Sequence, residues 1–234
     1  MTDAPLLLHY APDNASLCVR LALLRLKVPF ETRLVDRRRQ AQRAPGYLAL
    51  NPNGQIPVLV TPDGPMHETG AILLWLADRH GQGFVPAPGD RDRARVLTWR
   101  FWTADTLHPT LRSLFYPEQV TGSGGTLALV TRSRERVVAM LGLLEAALPA
   151  LGPWLGGERS SLLDCYLCPL LRWPAVYPGG QTGWYDLDRW PGLMAVMARM
   201  EARPESRAAA LAEGLGTHPF TRPERPNPPE GTPN

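Results

Sequence analysis

Residues 51–60 read Asn51-Pro52-Asn53-Gly54-Gln55-Ile56-Pro57-Val58-Leu59-Val60, and residues 67–72 read His67-Glu68-Thr69-Gly70-Ala71-Ile72. Pro57 stands at the head of an apolar run, one of the few strand positions that tolerates a missing N–H. A cis Ile56–Pro57 bond would turn the backbone of Ile56 outward, where its N–H and C=O can pair with an extended peptide as an added strand. Pro62-Asp63-Gly64 is a tight turn, so Pro65 to Glu68 should return antiparallel. Thr69 then opens an apolar helix. A hydroxyl and free N–H groups at a helix N-terminus suit a carboxylate, and the adjacent Glu68 can hold an ammonium group. Together they suit the zwitterionic end of an amino acid.

Toward the N-terminus, Leu6-Leu7-Leu8-His9-Tyr10 reads as a strand and Ala11-Pro12-Asp13-Asn14 as a loop, with Asp13 or Asn14 as helix cap. Leu17, Leu21, Leu24 and Val28 keep helical spacing, Pro29 ends the helix, and Phe30 to Asp36 reads as a second strand. A short helix through Tyr47, Leu48 and Leu50 precedes a third strand, Pro57-Val58-Leu59-Val60. The order is βαβ, a short helix, then ββα, which implies a small mixed sheet. Toward the C-terminus, the Gly- and Pro-rich stretch 81–90 reads as a linker. The region 91–217 is helical, with two long segments, about 91–116 and 126–150, expected to pair as an antiparallel hairpin. Ser161 opens another helix and Pro191 a further one. The Pro-rich tail 218–234 lacks periodicity and is expected to be irregular.

The chain has 234 residues, 44% hydrophobic and 20% charged, enough apolar content for a packed core. The net charge of +3 is carried almost wholly by arginine, with Lys27 the only lysine. Only Arg37-Arg38-Arg39 clusters, and acids interleave elsewhere, so nucleic-acid binding is not expected. No run approaches the roughly 18 apolar residues of a membrane span. Met1-Thr2-Asp3-Ala4-Pro5 lacks the basic start of a secretory leader, so cytoplasmic residence is expected. Cys18, Cys165 and Cys168 make no disulfide framework. Cys165-Tyr166-Leu167-Cys168 has a zinc or redox spacing but sits in an apolar helix with no second ligand pair, so inert buried thiols and no metal are expected.

The sequence resembles the glutathione transferase family. Asn51-Pro52-x-Gly54-x-Ile56-Pro57 and Glu68-Thr69-x-Ala71-Ile72 match its cis-proline and acidic-hydroxyl signatures, and Ser161-Leu162-Leu163-Asp164 matches its helix-capping motif, a capping box with Asp in place of Glu. The resemblance implies an α/β thioredoxin-like domain over 1–80 (βαβ–ββα), a linker over 81–90 and an all-α domain over 91–217. Tyr10, Pro12, Ala15, Ser16 and Leu17 look most like the opening of bacterial beta-type members, except that Ala15 stands where those carry a cysteine.

The activity implied is conjugation of the glutathione thiolate to small apolar electrophiles by a cytosolic homodimer, with no metal, nucleic acid or membrane. With no cysteine at position 15, the expected catalytic groups are Ser16, near a helix N-terminus, and Tyr10 as the competing hydroxyl. The resemblance places glutathione on Arg39, Gln55, Ile56, Pro57, Glu68 and Thr69. It places the electrophile pocket at His108 and Phe115, with Trp99 and Trp102 as further candidates. Glutathione-dependent peroxide reduction or isomerisation, and a non-catalytic binding module of the same fold, remain as alternatives.

Overall fold

The computed structural model describes residues 5–81, 83–122 and 124–233. Four strands, β1 (Leu6–Tyr10), β2 (Phe30–Leu34), β3 (Val58–Thr61) and β4 (Gly64–Met66), form one mixed sheet in the order β2-β1-β3-β4. β1 and β2 run parallel, joined by the crossover helix α1 (Ser16–Leu26). β3 lies antiparallel to β1, and the Pro62-Asp63 turn returns β4 antiparallel to β3. α2 (Pro45–Leu48) leads into the loop before β3, and α3 (Thr69–His80) closes this α/β half.

That loop is braced by side chains. The carbonyl of Gln55 accepts from the Tyr47 hydroxyl (2.7 Å) and from Asn51 Nδ2 (2.8 Å), and Asn51 Oδ1 accepts from the Asn53 N–H (3.1 Å). Gly54 has φ +61, and a Cβ there would meet the Gln42 carbonyl at 2.9 Å, so only glycine fits the turn. The Ile56–Pro57 bond is cis, and so is Tyr177–Pro178.

The rest of the chain is helical. α4 (Arg93–Trp102) and α5 (His108–Phe115) are one continuous helix interrupted by a π turn over Thr103–Leu107. The uniform pattern over 91–116 gave no sign of that turn. Its cause is Pro109, which has no N–H to donate to the carbonyl four residues back, so the ladder loosens just ahead of it. After α6 (Glu118–Thr121), the long helix α7 (Thr126–Leu151) packs against α5. α8 (Leu162–Val176) is the central helix, opened by a capping box. Ser161 Oγ accepts from the Leu163 N–H (3.0 Å), and Asp164 accepts from the Ser161 N–H (2.7 Å). α9 (Pro191–Glu201) and α10 (Pro204–Glu213) follow. α7 is long and apolar enough by composition to cross a membrane, and its residues Leu127 and Leu143 are exposed in the single chain.

One apolar core runs through both halves. α1 packs on α3 from one side and on α8 and α10 from the other. Polar groups cross the same seam. Arg172, wholly buried on α8, donates to both oxygens of Asp13 (2.9 and 3.0 Å), which also accepts from Trp173 Nε1 (3.1 Å) and the Tyr177 hydroxyl (2.8 Å). Arg20 on α1 pairs with the buried Glu213 on α10 (2.7 Å). Asp13, expected as a helix cap, is instead a buried acceptor at φ +48, so its carboxylate turns away from α1 and into the helical half.

The tail beyond His218 forms no helix or strand among the described residues but is tied down along its length. Glu201 accepts from the N–H groups of Phe220 (3.0 Å) and Thr221 (2.9 Å), and the Asn227 N–H donates to the Gly214 carbonyl (2.8 Å). Arg172 donates to the carbonyls of Pro219 (2.7 Å) and Glu224 (2.8 Å). The tail then crosses to the α/β half, where Tyr10 donates to the Glu230 carboxylate and Arg37 to the Pro233 carbonyl.

Candidate active site

A cleft of about 520 Å3 lies between the halves. Its α/β wall is built by three segments: the start of α1 (Asp13, Asn14, Ala15), the braced loop (Gln55, Ile56, Pro57) and the start of α3 (Glu68, Thr69, Gly70). Its helical wall is apolar and aromatic: His108, Leu111 and Phe115 on the helix beyond the π turn, and Tyr166, Trp173 and Tyr177 from α8 and its end. Four arginines, Arg37, Arg43, Arg100 and Arg112, face the same space. Of its three acids, Asp13 is consumed by Arg172, leaving Glu68 and Asp105.

Gln55, Ile56, Pro57, Glu68, Thr69, His108 and Phe115 all line this cleft. Ile56 stands just ahead of β3, which begins at Val58. Thr69 is the first residue of α3 and is buried, whereas the Glu68 side chain is 68% exposed beside His67 (3.7 Å). Glu68 has φ +70, an uncommon conformation for a residue with a side chain, and such strain concentrates at binding sites. His108 Nδ1 lies 3.1 Å from the Tyr166 hydroxyl, and its ring packs near Trp173. Burial pushes its pKa down to about 4, and the Arg112 charge adds to this, so the ring is neutral near pH 7.

Three of the expected residues do not meet the cleft. Ser16 is fully buried with its hydroxyl turned back on the loop, donating to the Ala11 carbonyl (3.0 Å) and accepting from the Ala11 N–H (3.3 Å). Tyr10 is buried too, and its hydroxyl donates to Glu230; burial and that carboxylate raise its pKa. Arg39 points to solvent, its side chain 87% exposed and 3.6 Å from Asp36. Asp36 folds the turn by accepting from the N–H groups of Arg38 (3.0 Å) and Arg39 (3.4 Å), and this leaves Arg37 as the member of the cluster that faces the cleft.

Trp99 and Trp102 stack edge-on at 4.8 Å against the core rather than lining the cleft. All three cysteines are buried, and burial raises each thiol pKa. Among the described residues, no three His, Cys, Asp or Glu side chains gather as a metal site.

The residue missed at the start of α1 is Asn14. Its Oδ1 accepts from the Ala15 N–H (2.8 Å), and the half-buried side chain borders the cleft where Ala15 carries no donor. Reading Asn14 only as a cap concealed that role. Arg172 had a visible signal, a lone charge in the apolar run Leu170-Leu171-Arg172-Trp173, which has to be paired if the helix is central.

The comparisons with known proteins agree with this geometry. Models of the glutathione S-transferase N-terminal and C-terminal domains match residues 15–79 and 104–204. Glutathione S-transferase GST-4.5 of Xanthomonas campestris is 33% identical over 89% of this chain and 98% of its own. The maleylacetoacetate isomerase of Rhizobium meliloti is 32% identical over 85% and 92%. Among solved structures, a sphingomonad glutathione S-transferase complexed with glutathione superposes with a TM-score of 0.73 at 31% identity, over 90% of this chain and all of that one. The chain belongs to the glutathione transferase family.

Proposed function

We propose that this transferase conjugates the thiolate of glutathione to small apolar electrophiles. One observation carries the reading: a single cleft joins an amino-acid-binding edge (Ile56, Glu68, Thr69) to an aromatic wall (His108, Phe115, Tyr166, Trp173). The peptide backbone of glutathione pairs with Ile56, its γ-glutamyl end meets Thr69 and Glu68, and its glycine carboxylate meets Arg37 and Arg43. The sulfur then lies over the first turn of α1, facing the aromatic wall.

A free thiol has a pKa of about 8.5, and the thiolate is the nucleophile. Lowering that value by about two units takes roughly 2.7 kcal/mol of preferential thiolate stabilisation. Asn14, rather than Ser16 or Tyr10, supplies the side-chain donor, because its amide nitrogen is left for the cleft while the other two hydroxyls are spent. The positive end of α1 adds to it. Rate then comes from the raised thiolate fraction and from holding both reactants together. The neutral His108 is suited to accept a proton or donate a hydrogen bond at the electrophile. The exposed apolar residues Phe101, Leu127 and Leu143 on α4 and α7 suit a homodimer interface, and residence is cytoplasmic.

The test is retention on immobilised glutathione, then turnover against electrophiles, hydroperoxides and isomerisable double bonds. Turnover confined to hydroperoxides or to isomerisation would replace the conjugation reading. The thiolate absorbance of bound glutathione against pH tests the activator. Asn14→Ala should raise the bound thiol's pKa by about one unit, while Ser16→Ala and Tyr10→Phe leave it in place. If Ser16→Ala moves the titration and Asn14→Ala does not, the assignment returns to Ser16.

A further inference from the structure

Arg100 sits on α4 at the π turn, 6% exposed, and lines the cleft. Among the described residues no carboxylate lies within ion-pair distance of it, and its Nε has no hydrogen-bond partner. Its Cζ lies 4.2 Å from the centre of the Phe101 ring. A buried guanidinium left without an anion is costly, and native chains rarely leave one so.

Its position sharpens the point. The guanidinium lies against the first turn of α3: a Cβ added to Gly70 would come 2.8 Å from Nη2, 3.1 Å from Cζ and 3.3 Å from Nε. Glycine at position 70 is what lets it approach. The N-terminus of a 12-residue helix already carries unpaired N–H groups and partial positive charge. A cation pressed on that end is repelled, so two positive groups border the same part of the cleft. Both line the cleft, where an anion would offset the two charges. Asp105, the nearest acid along the same helix, is exposed and outside ion-pair range.

We propose that Arg100 closes the γ-glutamyl subsite from the helical wall and ion-pairs with the α-carboxylate of the thiol donor, making that carboxylate the group by which the protein selects its thiol. The inference rests on the glutathione reading above. In this arrangement Thr69 and the α3 N–H groups hold the carboxylate from one side, Arg100 from the other, and Glu68 takes the ammonium. Because Arg100 belongs to the helical half and the rest of the subsite to the α/β half, the bound carboxylate bridges the two.

The experiment is calorimetric titration of the full-length protein with glutathione and with the glutathione analogue whose γ-glutamyl α-carboxylate is a carboxamide. The wild type should prefer glutathione by about 10- to 100-fold, the range for a charge-assisted pair. Arg100→Met should lose affinity for glutathione by a similar factor and bind the two compounds within about threefold of each other. Its melting temperature should hold or rise, since a buried unpaired charge is gone; a merely structural arginine would show the opposite. Arg100→Lys should fall between. Gly70→Ala, which pushes the guanidinium aside without removing it, should lower glutathione affinity and serves if Arg100→Met does not fold. Unchanged discrimination in Arg100→Met overturns the assignment while leaving glutathione binding intact. Discrimination retained for the thiol but lost between electrophiles with and without a carboxylate moves Arg100 to the second substrate and also overturns it. A wild type that binds neither compound removes the glutathione reading itself.

Discussion

Two arginines of the helical half are buried within reach of the α/β half, and they are built in opposite ways. Arg172 is wholly buried and makes four hydrogen bonds with its five N–H donors: two to Asp13 and two to the carbonyls of Pro219 and Glu224. Asp13 is filled in turn by Trp173 and Tyr177. Arg100 is nearly as buried, and among the described residues no carboxylate pairs with it. A charge completed by its own chain holds the halves together; a charge left open beside a helix N-terminus is a place for a ligand. The seam and the cleft use the same residue type, and only the partners of each arginine tell them apart.

Removing Arg172 gives the largest expected effect. Arg172→Met leaves the buried Asp13 carboxylate without a counter-charge, held only by Trp173 and Tyr177, and frees two tail carbonyls; breaking a buried pair by deleting one partner costs about 3–5 kcal/mol. Urea denaturation should show that loss, together with faster proteolysis of the segment from His218 onward. Arg100→Met should cost nothing by the same measurement. Equal losses for the two variants would erase the distinction between seam and cleft.

Much of this was legible in the sequence where local rules act. Pro57 and the Pro62-Asp63-Gly64 turn marked β3 and its return, Thr69 marked the first residue of α3, and Ser161 with Asp164 marked the cap of α8. The cleft residues flanking Pro57 and Thr69 were legible for the same reason. The failures share a different cause. Asp13 and Arg172 are 159 residues apart, and no local pattern pairs them. The tail has no periodicity because its order comes from single hydrogen bonds to distant groups such as Glu201 and Gly214. Ser16 and Asn14 are two positions apart; Asn14 borders the cleft while Ser16 bonds back to Ala11, and the residue names do not encode that difference.

The pH response sharpens the comparison next, because each region holds a group whose titration is displaced within the acid-to-neutral range. In the cleft, His108 has its pKa lowered to about 4 by burial, with Arg112 second, against about 6.5 unfolded. The unfolded chain takes up that proton first, so the stability His108 permits is complete above pH 6.5 and is lost as pH falls toward 4. At the seam, burial raises Glu213 to about 7 against the pull of Arg20, so its contribution is complete below about 4.5 and is lost as pH rises through 7. The two slopes oppose each other between about pH 4.5 and 6.5. His108→Asn should remove one of them: at pH 5 the variant should gain about 1–2 kcal/mol relative to its standing at pH 7.5, discounted for the edge of the ring that meets the cleft. Parallel stability curves for wild type and variant across that range would show that the ring titrates normally.

The smallest effect expected is at Arg39, and it tests how far the cleft of the free protein is the cleft that binds. Arg37, Arg38 and Arg39 are equivalent on paper, and Asp36 separates them by accepting the backbone N–H groups that set the turn. Arg37 is half-buried and already tied to the Tyr116 hydroxyl (3.0 Å) and the Pro233 carbonyl, so it is ordered where the glycine carboxylate would arrive. Arg43 lines the same end, while Arg39 extends into water. An exposed, screened charge contributes little to stability or to binding. Arg39→Ala should therefore change glutathione affinity by less than about twofold, and Arg43→Ala should weaken it by about three- to tenfold, more at low salt than at high. Calorimetry at two ionic strengths measures both. A tenfold loss in Arg39→Ala would mean that the turn at 36–40 rearranges when glutathione enters, and the α/β wall of the cleft, unlike the seam behind it, would then be formed by its ligand.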